Sequence, residues 1–171
     1  MNKLITFILI FFVTNIYSQR FITNEAEISF FSEAPIEDIS AKNNKVSAVY
    51  DAETNQLVFQ LNISDFIFPK SLMQEHFNEN YLESEKFPKA SFSGIIDELN
   101  KVSIATGTLK IHGESNAVEV KGSLVKGNDS VMIEADFAIQ LKDYNIKIPK
   151  IVMYNIAEEI EVTVKAKLKE I

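Results

Sequence analysis

The sequence predicts an all-β domain of eight antiparallel strands, and three observations predict it. Apolar and polar residues alternate with period two along most of the chain. Polar, turn-forming stretches, "DAETNQ", "DELNK" and "KGNDS", separate successive runs. The spacing between runs is shorter than the dozen or more residues a parallel crossover needs, so neighbouring strands run antiparallel.

The chain opens with a segment unlike the rest. Lys3 gives a basic start, residues 4–13 are mostly apolar, and Ser18 is a small residue suited to cleavage. Residues 1–18 therefore read as a cleavable signal peptide, and the protein as exported, either to a periplasm or secreted. The apolar run is shorter than the ~20 residues that cross a bilayer, and no later segment comes close, so the chain is not membrane-spanning. Residues 19–171 then form one domain of about 153 residues, enough for a single sizeable core. There is no cysteine, which excludes both a lipoprotein leader ending in an acylated Cys and any disulfide, leaving packing and the strand ladder to stabilise the fold.

Each strand is justified by its own alternation. The first two, around residues 26–31 and 45–51, are the weakest. The third sets Leu57, Phe59, Leu61 and Ile63 opposite Val58, Gln60, Asn62 and Ser64. The fourth and fifth fall near residues 89–97 and 102–112, and Val118, Val120, Gly122 and Leu124 mark the sixth. "DSVMIEADFAIQL" is the clearest run: Val131, Ile133, Ala135, Phe137, Ile139 and Leu141 share one face, with Glu134, Asp136 and Gln140 on the other. The eighth sets Ile160, Val162, Val164, Ala166 and Leu168 against alternating Glu, Thr and Lys residues.

Two stretches break the rhythm. Between Pro69 and Ser84, Leu72, Met73, His76, Phe77, Asn80 and Tyr81 recur at helical spacing, which predicts an amphipathic helix ended by Phe87-Pro88. "DYNIKIPKIVMYNIAEE" joins the last two strands, and its Pro149 argues against a central strand there. The alternation alone leaves a closed barrel and a sandwich both open. Gly94, Gly107 and Gly122 lie within strands. They either leave volume inside a barrel for a small ligand or mark bulges and tight bends.

Composition excludes several functions. Seventeen Lys and Arg stand against 24 Asp and Glu, for a net charge of −7; losing Lys3 with the leader makes it about one unit more negative, which disfavours nucleic acid as a partner. Lys165, Lys167 and Lys169 share one strand face and read as a solvated sheet edge. No Gly-x-Ser-x-Gly elbow, Cys nucleophile or phosphate-cradling glycine loop occurs. His76 lies near Glu75 and Glu79, but a metal needs more ligands than an i, i+3 His and Glu supply. His76 reads as a helix residue bonded to a neighbour, and His112 as a strand-end cap. Adjacent acidic pairs such as Asp97/Glu98 and Glu158/Glu159 point to opposite sides and cannot share a substrate. Of two Asn-x-Ser/Thr sequons, at Asn62 and Asn128, the first falls within a strand.

"LMQEHFNENYLESEKFPKASFSG", residues 72–94, resembles the central signature of the YceI-like family of exported lipid-binding proteins. Phe87-Pro88-Lys89-Ala90-Ser91-Phe92 matches its aromatic-Pro-x-x-x-Phe strand entry. "GTLKIHGESNAVEV" is similar to the second signature and "DYNIKIP" to a weaker third, in the family's order. The chain departs from the pattern in lacking tryptophan and in carrying "ESNA" where a Thr-x-Pro turn is commoner.

The resemblance implies an eight-stranded antiparallel, lipocalin-like barrel with one helix covering a barrel end. It implies a non-enzymatic carrier of a polyisoprenoid, fatty acid or similar long apolar ligand, without cofactor or metal. The sequence is silent on oligomeric state and leaves a homodimer open. On that reading Phe59, Leu61, Leu109, Ile111, Val120, Leu124, Ile133, Phe137, Ile139 and Leu141 face an apolar lumen. Phe66, Phe68, Leu72, Met73, Phe77 and Tyr81 pack down as a lid, with Phe87 and Phe92 anchoring its exit to the wall. The competing reading is a barrel with a solid core, acting as a protein-interaction module in the cell envelope with no small-molecule ligand.

Overall fold

The computed structural model describes residues 19–33, 38–99, 102–148 and 157–171; the leader segment 1–18 lies outside them. Eight strands follow in chain order: β1 (Arg20–Ser32), β2 (Ile39–Asp51), β3 (Gln56–Asn62), β4 (Lys89–Leu99), β5 (Val102–Ile111), β6 (Glu114–Lys126), β7 (Ser130–Gln140) and β8 (Glu159–Glu170). Each pairs antiparallel with the next, and β8 returns to β1, so the sheet closes on itself. Closure settles barrel against sandwich. It also corrects the edge reading of Lys165, Lys167 and Lys169: they are exposed on the outer face of β8, which is paired on both sides.

The up-and-down order gives the barrel two different ends. At one end, tight turns such as residues 52–55 and 127–129 join the strands, and the two described chain ends meet, with Ile171 N–H donating to the Arg20 carbonyl at 3.0 Å. At the other end lie the long connections after β3 and β7 and the two-residue turn between β5 and β6. We call these the turn end and the helical end.

β1 and β2 run longer than the alternation predicts, for a physical reason. Their pairing shifts register on either side of Ala26, and the shifts reverse which residues point inward. On β2, Ala41 and Asn43 are buried at odd positions, and Val46, Ala48 and Tyr50 at even ones. A bulge of this kind erases period two locally while tightening strand twist. Asn43 secures the irregularity: its side-chain oxygen accepts from Lys45 N–H at 2.9 Å and its amide donates to the Asn62 carbonyl at 3.0 Å. Such a fully buried amide is tolerated because both ends are satisfied. The Asn62 sequon asparagine is the last residue of β3, and its side-chain amide donates to Asp65 at 2.9 Å.

The predicted helix is shorter than its pattern. One short helix, α1 (Ser71–His76), continues into a π-helical turn at Phe77–Tyr81, closed by Leu82 N–H donating to the Phe77 carbonyl at 2.9 Å. Before it, residues 66–68 run along β2, and Lys42 and Ile67 exchange backbone bonds of 3.1 and 2.8 Å.

The strand glycines neither leave volume at every position nor bulge. Gly94 and Gly107 face each other across unbroken β4–β5 pairing, and a Cβ on either meets the other's Cα within 3 Å. The Phe92 ring lies 2.8–2.9 Å from both positions where a Cβ would stand. An aromatic ring covers a pair of strand glycines and occupies the space they release.

Candidate functional site

Inward side chains at the turn end are large and fully packed. Tyr50, Val131 and Leu168 are completely buried and Leu57 nearly so. Phe21 stacks on Tyr50 with ring centroids 6.2 Å apart, and the Tyr50 hydroxyl donates to Asn55 Oδ1 at 2.9 Å. These side chains form a floor.

Above the floor the inward positions of β5 to β7 become small. Ser103, Gly122 and Ala135 are aligned by direct pairing, and Ala105 follows one inward step along β5. A cavity of about 430 Å³ opens here, lined almost wholly by carbon. That is within the ~300–1,000 Å³ range of small-molecule sites. The interior is therefore not a solid core, contrary to the competing expectation.

The helical end is capped by aromatics. Phe30, Phe66, Phe68 and Phe77 form one cluster with centroid separations of 4.9 to 5.7 Å. Offset and edge-on packing of this kind adds ~0.5–1.5 kcal/mol per pair beyond area burial. Phe30 comes from β1 and was not among the residues singled out from sequence, because the β1 register shift hides its periodicity. Tyr81 is half-buried at the cap, and burial pushes its hydroxyl above the usual phenol value. Asn78, within the π turn, donates to the Gln74 carbonyl at 3.0 Å, while its buried Oδ1 has no partner among the described residues.

The exit of the cap is pinned to the wall. His112 and Gly113 form the β5–β6 turn with φ of 51° and 82°, the two positive values a two-residue hairpin turn requires. The Phe87 ring sits where a Gly113 Cβ would stand, 2.7 Å away at its nearest atom, and packs on the His112 ring at 4.4 Å. Buried His112 donates from Nδ1 to the Tyr144 carbonyl at 3.1 Å and places Nε2 2.9 Å from Glu83 Oε2. One side chain thus ties the cap, the hairpin and the β7–β8 connection together. Burial pushes the Tyr144 hydroxyl above its ordinary value, against a smaller lowering from Asn116.

All the residues named from sequence as lumen or lid line this cavity except two. Leu72 is 61 % exposed on the outer side of α1, because the helix turns Met73 and Phe77 toward the barrel and its neighbour away. Leu124 packs on the core nearer the turn end than Gly122, where the interior is already filled. Residues that sequence did not single out include Ile28 beside the bulged region, Ser32 and Ile39 paired at the far end of the β1–β2 ladder, and Ile96 and Ser103 just above the floor. His76 is exposed at the end of α1 and lines the helical end of the cavity; it makes no hydrogen bond with a described residue. No group of three metal-ligating side chains occurs among the described residues.

Residues 20–168 match the model of the YceI-like domain family. No curated protein sequence matches significantly. Among solved structures the chain is similar to BcnA of Burkholderia cenocepacia, with TM-score 0.74 and 14% identity over 84% of this chain and 95% of that one. A polyisoprenoid binding domain from Saccharophagus degradans, implicated in plant cell wall breakdown, gives TM-score 0.77 and 10% identity over 90% and 99%. A Campylobacter jejuni YCEI protein gives 0.67 and 17% over 81% and 89%. At these identities the likeness is one of fold.

Proposed function

The chain belongs to the YceI-like domain family, and from that membership and the cavity we propose that it is an exported carrier that holds a long apolar ligand in the barrel interior. The single observation that carries the reading is the 430 Å³ carbon-lined hollow between a packed floor and an aromatic cap. A polyisoprenoid or long acyl chain is the ligand class that such walls favour, since each buried methylene contributes ~0.8 kcal/mol. About ten methylenes give ~8 kcal/mol gross, enough for useful affinity after ordering costs even with no ion pair. Ligand entry is at the helical end, because the turn end is filled by Tyr50, Val131 and Leu168. The leader at residues 1–18 is cleaved on export.

Two features support binding over catalysis. The one paired hydroxyl and carboxylate of the lining, Ser123 and Glu134, alternate with the inward Gly122 and Ala135 and so belong to the outer face of the sheet, and the one tightly bonded histidine, His112, has both ring nitrogens engaged in holding the cap. The test is organic extraction and mass spectrometry of protein expressed with its leader and never exposed to detergent. A co-purified lipid in near-stoichiometric amount is the expected result; an empty extract, with no stabilisation by added long-chain lipids, overturns the reading.

A further inference from the structure

One group in the cavity is unexplained by an apolar ligand. Ser103 is the first inward residue of β5, is 4 % exposed and lines the hollow. Its hydroxyl makes no hydrogen bond with any described residue. Among the described residues, only Asn78 Oδ1 is sealed within protein without a partner, so Ser103 Oγ opens onto the hollow. On the β6 and β7 side its row neighbours Gly122 and Ala135 have no polar side chain to offer it. A buried hydroxyl in apolar surroundings costs free energy unless something accepts its hydrogen bond.

We infer that the ligand lies head-inward, with a neutral group at the cavity floor that accepts a hydrogen bond from the Ser103 hydroxyl. The inference rests on the carrier reading and adds orientation and head-group chemistry to it. A ketone, ester, primary amide or alcohol oxygen fits. A carboxylate does not, because no Lys or Arg lines the hollow and the lining histidine, His76, stands at the opposite end; an unpaired buried charge is far costlier than an unpaired dipole. The small neighbours leave room for the head group, and the floor beyond them stops it.

The experiment uses delipidated full-domain protein and two probes of equal chain length, dodecan-2-one and dodecane, each displacing the neutral apolar fluorophore N-phenyl-1-naphthylamine as the label. Ser103→Ala should weaken dodecan-2-one by about two- to tenfold and leave dodecane nearly unchanged, while Ser103→Thr retains ketone affinity. The infrared carbonyl stretch of the bound ketone should move to higher frequency in Ser103→Ala, a change that loss of packing alone does not produce. Equal effects on both probes, or an unchanged carbonyl stretch, overturn the inference and leave the carrier reading standing. Failure of both probes to displace the label from wild-type protein overturns both.

Discussion

The two ends of this barrel are made from the same strands with the same inward-outward alternation, yet one is solid and the other hollow. At the turn end the inward residues are Tyr50, Leu57, Val131 and Leu168, which meet across the axis. A few residues further along, β5 to β7 present Ser103, Ala105, Gly122 and Ala135, and the walls no longer touch. An eight-stranded barrel is just narrow enough for side chains to fill it, so side-chain volume at a few positions decides whether space remains. Alternation chooses the side of the sheet, and bulk chooses between core and cavity. Glycine is a poor guide to that choice, since Phe92 fills what Gly94 and Gly107 leave out.

The contrast is sharpest in stability. Leu168→Ala at the solid end should cost ~2–5 kcal/mol, measured by urea unfolding. Phe137→Ala on the cavity wall should cost less, ~1–2 kcal/mol, because a half-buried ring facing empty space forfeits fewer dispersion contacts. Equal costs would mean that the hollow end is packed as tightly as the floor.

Ligand stabilisation separates the ends next. A saturating long-chain ligand at about 100 times its dissociation constant should stabilise the wild type by ~2.7 kcal/mol. Ala135→Leu, which adds bulk to the hollow, should abolish that gain while leaving the ligand-free protein at least as stable. The readout is the melting temperature with and without ligand. Retained ligand stabilisation would place the binding site elsewhere.

A smaller effect tests the glycine pair. Gly107→Val forces a Cβ to within 2.4 Å of the Ser93 carbonyl oxygen, and should destabilise by ~1–3 kcal/mol through overpacking. Phe92→Ala in the same chain should not rescue it, since the obstruction is backbone.

The smallest effect is electrostatic and belongs to the turn end. Asp51 is held below the usual carboxylate value of 3.8 chiefly by the Thr54 N–H, with Arg20 at 3.1 Å and the Glu53 N–H adding to it against the cost of desolvation. A depressed folded-state value means that its contribution is present above the ordinary carboxylate range and is lost as pH falls through the lowered value. Asp51→Asn should flatten the decline in stability below about pH 4 and leave ligand affinity unchanged. An unaltered acid limb in Asp51→Asn would show that other carboxylates set it.

Much of this was legible in the chain because strand alternation and turn chemistry are local. Val131 to Leu141 and Ile160 to Leu168 announce their faces within a dozen residues. Most of the cavity lining follows from those faces and from the aromatic spacing after β3. What could not be read locally depended on partners distant in sequence. The bulges of β1 and β2 reverse their own periodicity, so Phe30 and Ser32 were hidden, and Leu72 was misplaced because only packing against the barrel orients α1. By itself the sequence determined which side of each strand is apolar, that no disulfide contributes, and which family's motifs it carries. Tertiary structure alone decided that β1 pairs with β8, that Phe92 spends its ring on a glycine pair, and that a void survives above the floor. The physical reason is that hydrophobic patterning is a property of neighbours along the chain, whereas closure and residual volume depend on how side chains from opposite walls meet.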